Sequence, residues 1–253
     1  MQKQLNNKVI WITGASSGIG NAVLHRLLES GAIVIASSRK IDALQSLTTK
    51  YPQRLILISV DATDRESIYN CIDQISNRFN HIDIVILNAG NCVYFNAENF
   101  NVEILHKNFS LNYFGLALCI EASLKLLKKS VSPQIIGMTS AVAYLGLPTA
   151  EGYGAAKAAA RYLLQCLQSS FKKDNISVSI ICPGFVKTPL TDLNSFKMPF
   201  IISADKAANY IIRGIVNKQP EIAFPFRLVI LFKLLNMLPS RLRIYLLSKL
   251  VSK

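Results

Sequence analysis

Short apolar runs rich in Val and Ile recur along the chain. Each is followed by a stretch whose apolar positions return every three or four residues. The runs are Val9–Thr13, Ile33–Ala36, Leu55–Val60, Ile84–Leu87, Ile135–Met138 and Val178–Ile181. Near-continuous apolar segments of this kind are what strands buried on both faces of a parallel sheet require. Between them, Ile19–Ser30, Ile41–Lys50, Asp64–Phe79, Glu103–Lys129 and Tyr153–Lys173 have the amphipathic period of helices. Alternating strand and helix predicts an α/β fold with a parallel sheet, and right-handed crossovers leave few topologies. Residues 1–224 read as one such domain. Residues 225–253 read as an appended tail that Pro239 splits into two helices, Phe226–Met237 and Ser240–Ser252.

Composition narrows the class. Of 253 residues, 51% are hydrophobic and 17% charged, which excludes a disordered chain. Five cysteines (Cys71, Cys92, Cys119, Cys166, Cys182) and three histidines are scattered, so neither a disulfide framework nor a metal site is predicted. The cysteine usage fits a reducing, cytoplasmic compartment. The N-terminus has too short an apolar run for a secretory signal, and no stretch of about 20 apolar residues predicts a spanning helix.

The net charge of +13 points to anionic partners. From Ile222 onward the chain carries six cations and no acid. Basic, Leu-rich helices of this length lie in a membrane interface, which predicts peripheral attachment to an inner membrane face. Packing on the body and contact with another subunit are the alternatives. No recognition motif supports nucleic-acid binding.

The first predicted strand runs into Thr13-Gly14-Ala15-Ser16-Ser17-Gly18-Ile19-Gly20, and a helix follows. A strand, a glycine-rich turn and a helix let a backbone approach a pyrophosphate whose charge sits at the helix N-terminus. The spacing is G-x-x-x-G-x-G, and a tight turn without a ligand is the alternative. The second strand ends in Ala36-Ser37-Ser38-Arg39-Lys40, where an acid would accept hydrogen bonds from an NAD ribose. Two cations and two hydroxyls stand there, which favours the 2′-phosphate of NADP(H). Arg39 and Lys40 at the start of a solvated helix are the alternative.

Tyr153 and Lys157 are four residues apart in a helical run and share one face. A neighbouring ammonium favours a phenolate, so such a tyrosine can exchange a proton with an alcohol or carbonyl oxygen. Ser140 follows the strand Gln134–Met138, at the carboxyl end where parallel sheets place ligands.

With these motifs in order, the sequence resembles the short-chain dehydrogenase/reductase superfamily, in its compact branch of about 250 residues. The resemblance covers roughly 6–225. It rests on Thr13–Gly20, Asp61-Ala62-Thr63, Asn88-Ala89-Gly90, Asn112, Ser140, Tyr153 with Lys157, and Pro183-Gly184 followed by Thr188. One departure is Leu87, where members often carry Asn before Asn-Ala-Gly. The resemblance implies a Rossmann-like, doubly wound parallel sheet of seven strands. It implies Tyr153 as general acid/base, with Lys157 lowering its pKa and holding the nicotinamide ribose. Ser140 would orient the substrate oxygen, and Asn112 would hold a water in a proton relay. The cofactor would be held by Gly14, Ser16, Ser17, Gly18, Ile19 and Gly20, by Ser38 and Arg39, and by Asp61 and Ala62 at the adenine. Asn88, Ala89 and Gly90, together with Pro183, Gly184, Val186 and Thr188, would complete the cofactor site. The helices Glu103–Lys129 and Tyr153–Lys173 would form dimer or tetramer surfaces.

The expected function is NADP(H)-dependent interconversion of a ketone and a secondary alcohol. The segment Phe185–Ser203 carries Phe185, Leu190, Leu193, Phe196, Met198, Pro199 and Phe200. The resemblance makes it a cover for the substrate, and its apolar content points to an apolar, lipid-like molecule. Asn91–Phe95 and Ala143–Leu147, with Tyr94, Phe95 and Tyr144, would line the same mouth or pack in the core. A non-catalytic nucleotide sensor and a membrane-docked scaffold are the competing classes.

Overall fold

In the computed structural model, which describes residues 4–95, 97–194 and 196–249, the six apolar runs are strands. They are β1 (Val9–Thr13), β2 (Ile33–Ser38), β3 (Leu55–Ser59), β4 (Ile84–Leu87), β5 (Gln134–Met138) and β6 (Ser177–Pro183). Two short strands, β7 (Val186–Lys187) and β8 (Ile202–Ser203), pair with each other beside the sheet. A further strand, β9 (Glu221–Phe224), completes a seven-stranded parallel sheet in the order β3-β2-β1-β4-β5-β6-β9. The helices are α1 (Gly18–Glu29), α2 (Gln45–Lys50), α3 (Arg65–Ser76), α4 (Val102–Phe109), α5 (Leu116–Leu127), α6 (Glu151–Ser170), α7 (Ala204–Val216), α8 (Phe226–Met237) and α9 (Ser240–Ser248).

Both faces of the sheet are covered, so the fold is Rossmann-like and doubly wound. On one face Leu24 and Leu27 of α1 and Ile211 and Ile215 of α7 are buried against the strands. On the other lie Ile68 and Ile75 of α3, Ile120 and Leu126 of α5, and Leu164 of α6. Trp11 is fully buried in β1, and its indole N–H donates to the Ser37 hydroxyl at 2.9 Å. Strand order reverses at β1, because β2 and β3 step one way and β4 onward the other. The turns after β1 and β4 therefore part, which opens a crevice at the carboxyl end of the sheet.

The hydrophobic pattern did not mark α7 or β9. The signals were present: Ser203 caps α7 by accepting from the Lys206 N–H at 3.2 Å, and Ala207, Ala208, Ile211 and Ile215 form its buried stripe. The run over 102–127 is by length and composition apolar enough to cross a membrane. It is half buried, and it packs α4 on α6 and α5 on α3. Phe114 and Tyr162 stand exposed on the two helices expected to meet other subunits.

The boundary expected at residue 225 falls between β9 and α8, and α8 is packed against the body. Leu228, Val229 and Phe232 belong to the same apolar core as α5 and α6. Lys233 pairs with Glu221 at 3.0 Å, and its ammonium sits 4.7 Å from the Tyr144 ring centre. No residue of α9 is fully buried. The residues expected to extend α9 from Leu250 to Ser252 lie outside the described residues.

Candidate active site

β1 delivers the chain into the crevice, and the turn that follows takes a shape only glycine tolerates. Gly14 and Gly18 have φ of +66° and +55°. A Cβ on Gly20 would overlap the Gly14 carbonyl oxygen and the Asn88 amide. Ser17 begins α1 without capping it through its side chain, so the first N–H groups of the helix point outward at the turn. That arrangement suits a phosphate. Beside it the Ser16 and Ser38 hydroxyls are 2.7 Å apart, and Arg39 stands exposed at the rim. Ala36–Lys40 carries no acid.

The end of β4 is tied to this turn. The Asn88 side-chain amide donates to the Thr13 and Gly14 carbonyls at 3.1 and 3.0 Å. The Asn88 and Ala89 N–H groups donate to the Thr13 hydroxyl, each at 3.1 Å. Leu87 at the preceding position is simply buried in the sheet. Across the cleft, Asp61 accepts from the Thr63 N–H and hydroxyl at 2.9 and 2.7 Å. Those bonds, helped by Arg39, hold its carboxyl below the usual carboxylate range.

Between α4 and α5 the helix widens into one π turn, Ser110–Gly115. Gly115 lies against the Ala62 carbonyl, where a side chain has no room. The widened turn holds Asn112 almost fully buried. Its amide donates to the Asn108 carbonyl, the Asn91 carbonyl and the Asn91 side chain at 2.9, 3.0 and 2.8 Å. Gly90 permits the approach of two helices: a Cβ there would sit 2.9 Å from Asn112 Oδ1 and 3.3 Å from Lys157 Nζ.

Lys157 is buried and donates to the Met138 carbonyl at 2.9 Å, which fixes α6 against the end of β5. Its ammonium is 5.9 Å from the centre of the Tyr153 ring. Ser140 follows the same strand end and accepts from the Val142 N–H at 3.3 Å. Burial pushes the Tyr153 phenol above the ordinary tyrosine value, and the neighbouring Ser140 hydroxyl offsets this only in part. Burial likewise pushes the Lys157 ammonium down, to about 8. Desolvation is the largest influence on Tyr153, whose ring centre lies 5.9 Å from the Lys157 ammonium. Among the described residues no cluster of metal-binding side chains occurs.

One cleft of about 380 Å³ gathers these groups. Asn112, Ser140, Tyr153 and Lys157 border it, as do Gly14, Ser16, Ser17, Gly18, Ile19 and Gly20. Ser38, Arg39, Asp61, Ala62, Asn88, Ala89 and Gly90 line it as well, and Pro183, Gly184, Val186 and Thr188 close its far wall. Thr13 and Asn91, read within the glycine turn and the mouth segment, also line it, and sequence reasoning missed Lys107. Asn108, which anchors Asn112, was discoverable by its four-residue spacing from it.

At the mouth the two alternatives divide. Phe95 and Tyr144 are buried and do not line it. Phe95 packs edge-on against Phe100, and Tyr144 is held between Arg161 and Lys233, with the two cations 4.8 and 4.7 Å from its ring centre. Tyr94 is partly exposed, and its hydroxyl donates to Asn194, which joins the segment after β4 to the 185–203 segment. Within that segment Phe185 packs on the core and meets Phe196 edge-on, while Leu190, Phe196 and Phe200 remain exposed.

Comparison with known proteins places this geometry. The family model described as short chain dehydrogenase matches residues 8–197. A 3alpha-hydroxysteroid dehydrogenase of Mediterraneibacter gnavus is 32% identical over 195 residues, covering 75% of this chain and 78% of its own length. Two solved structures share the fold at a TM-score of 0.83. One is a short chain dehydrogenase of Burkholderia cenocepacia in complex with NADP, 24% identical over 96% of this chain and 99% of that one. The other is a short chain dehydrogenase/reductase of Burkholderia phymatum in complex with NAD, 18% identical over 91% and 93% of the two chains. The glycine turn, the switch-point cleft and the family match over three quarters of the sequence thus lead to one conclusion: the chain belongs to the short chain dehydrogenase family of oxidoreductases.

Proposed function

We propose that the protein is an NADP(H)-dependent oxidoreductase that interconverts an apolar ketone and the corresponding secondary alcohol. The observation that carries this reading is the convergence of Ser140, Tyr153 and Lys157 on the one cleft that the glycine turn also lines. A bound nicotinamide supplies the hydride. The residues present fit that group, since Gly14, Gly18 and Gly20 leave a backbone cradle at the uncapped start of α1.

Tyr153 keeps its proton well above neutral pH and so acts as an acid, delivering that proton to the oxygen of the reduced carbonyl. The Ser140 hydroxyl stands beside it to hold the same oxygen. Lys157, cationic at neutral pH and pinned to the Met138 carbonyl, favours the phenolate that remains. Asn112, held by three accepting groups, fixes the floor on which a relay water would rest. Exposed Leu190, Phe196 and Phe200, and the hydroxysteroid dehydrogenase among the relatives, support an apolar substrate.

Two measurements test the reading. With a panel of ketones graded by apolar bulk, NADPH consumption is expected, rising with bulk, and NADPH is expected to bind more tightly than NADH. Arg39→Ala should remove that difference, weakening NADPH by roughly tenfold to a hundredfold for the loss of a charge-assisted contact worth about 1.5–3 kcal/mol. NADH bound as tightly as NADPH by the intact protein would refute the cofactor assignment. The second measurement is a pH profile. Burial disfavours charged Lys157, so the ammonium is present below about 8 and lost above it. The kcat/KM for reduction should be level below that pH and fall above it. A profile unchanged across this range would separate Lys157 from the proton step.

A further inference from the structure

We propose that the outer face of α8 together with α9 is a docking surface for an anionic lipid membrane. α8 reads FRLVILFKLLNM, nine of whose twelve residues are apolar, so its apolar side chains require cover on more than one side. Its inner face has that cover, with Leu228, Val229 and Phe232 buried in the core. Its outer face does not: Phe226, Leu234 and Met237 are 72, 57 and 80% exposed. α9 extends the same surface with Ile244 and Tyr245, 65 and 56% exposed. Arg243 ties the two helices by donating to the Asn236 carbonyl and side chain at 3.0 and 3.1 Å.

Charge selects the occupant. Arg227, Arg241 and Lys249 are exposed on this surface, and the chain has no acidic residue after Glu221. A second copy of the chain seated here would set cation against cation. Anionic headgroups supply the missing countercharge, and the acyl boundary takes the apolar side chains. The docking helix also packs behind the cleft: Leu228 fills the space that a side chain on the cleft-lining Gly184 would need. The exposed side of α8 and the side that packs into the core are thus different faces of one helix.

Removing residues 225–253 would strip Leu228, Val229 and Phe232 from the core, so the test uses the full chain with exposed positions altered. Flotation with phosphatidylcholine vesicles, with and without phosphatidylserine, reads the binding. The native protein should float with the anionic vesicles. Arg227→Gln with Arg241→Gln should weaken this about twenty-five-fold, at about fivefold for each cation near the surface. Met237→Asp with Ile244→Asp should abolish it, with thermal unfolding unchanged. A native protein that stays unbound with anionic vesicles overturns the proposal. So does a doubly aspartate-substituted protein that floats as before. If the native protein does not bind vesicles and the aspartates only convert a dimer to a monomer in the ultracentrifuge, the surface belongs to a second copy. Binding is read without turnover, so its failure and a failure of the reductase reading are distinguishable.

Discussion

Gly20→Ala is expected to weaken dinucleotide binding by roughly tenfold or more while leaving a largely folded protein. The added methyl meets the Gly14 carbonyl oxygen and the Asn88 side-chain amide, and the first of these is backbone. Neither can yield alone, because Asn88 is held by the Thr13 and Gly14 carbonyls that shape the turn. The turn must open, which costs about 1–3 kcal/mol of stability as an overpacked site. The same opening moves the N–H groups at the start of α1 away from a phosphate. NADPH affinity should fall by roughly tenfold or more, a loss of at least about 1.4 kcal/mol. Calorimetric titration together with thermal unfolding checks this. A folded Gly20→Ala protein with native NADPH affinity would show that the turn is not the cradle.

Much of this site is legible in the sequence because its parts are local. The glycine turn needs one strand end and one helix start, and Thr13–Gly20 contains both. Tyr153 and Lys157 share a helix face by spacing alone. β1 to β6 stand out because strands buried on both faces leave unbroken runs of Val, Ile and Leu. What was not legible depends on packing between distant segments. Composition marked α8 as apolar and basic but could not say which face entered the core, since its residues are apolar on both. The sequence left Tyr144 open between mouth and core, and the choice rests on Arg161 and Lys233, far apart in sequence, whose cations lie beside its ring. The desolvation of Tyr153 also escaped the sequence. Spacing reveals the nearby ammonium, whereas desolvation comes from everything else that closes the cleft.

Tyr153→Phe is expected to lower kcat for ketone reduction by about 10²–10⁴, the usual contribution of a positioned acid. The substitution removes one oxygen and keeps the ring, so packing on α6 is retained and the fold should be preserved. Ser140 and Lys157 remain, and they can still polarise the substrate oxygen, but neither replaces the lost proton: Lys157 is committed to the Met138 carbonyl. The cradle for the dinucleotide lies at the glycine turn and is untouched. The most direct test is therefore kcat and the NADPH dissociation constant measured side by side on the native protein and Tyr153→Phe. A kcat lower by at least about a hundredfold, with an NADPH dissociation constant within about threefold of native, is the predicted result. Native turnover in Tyr153→Phe would contradict the account.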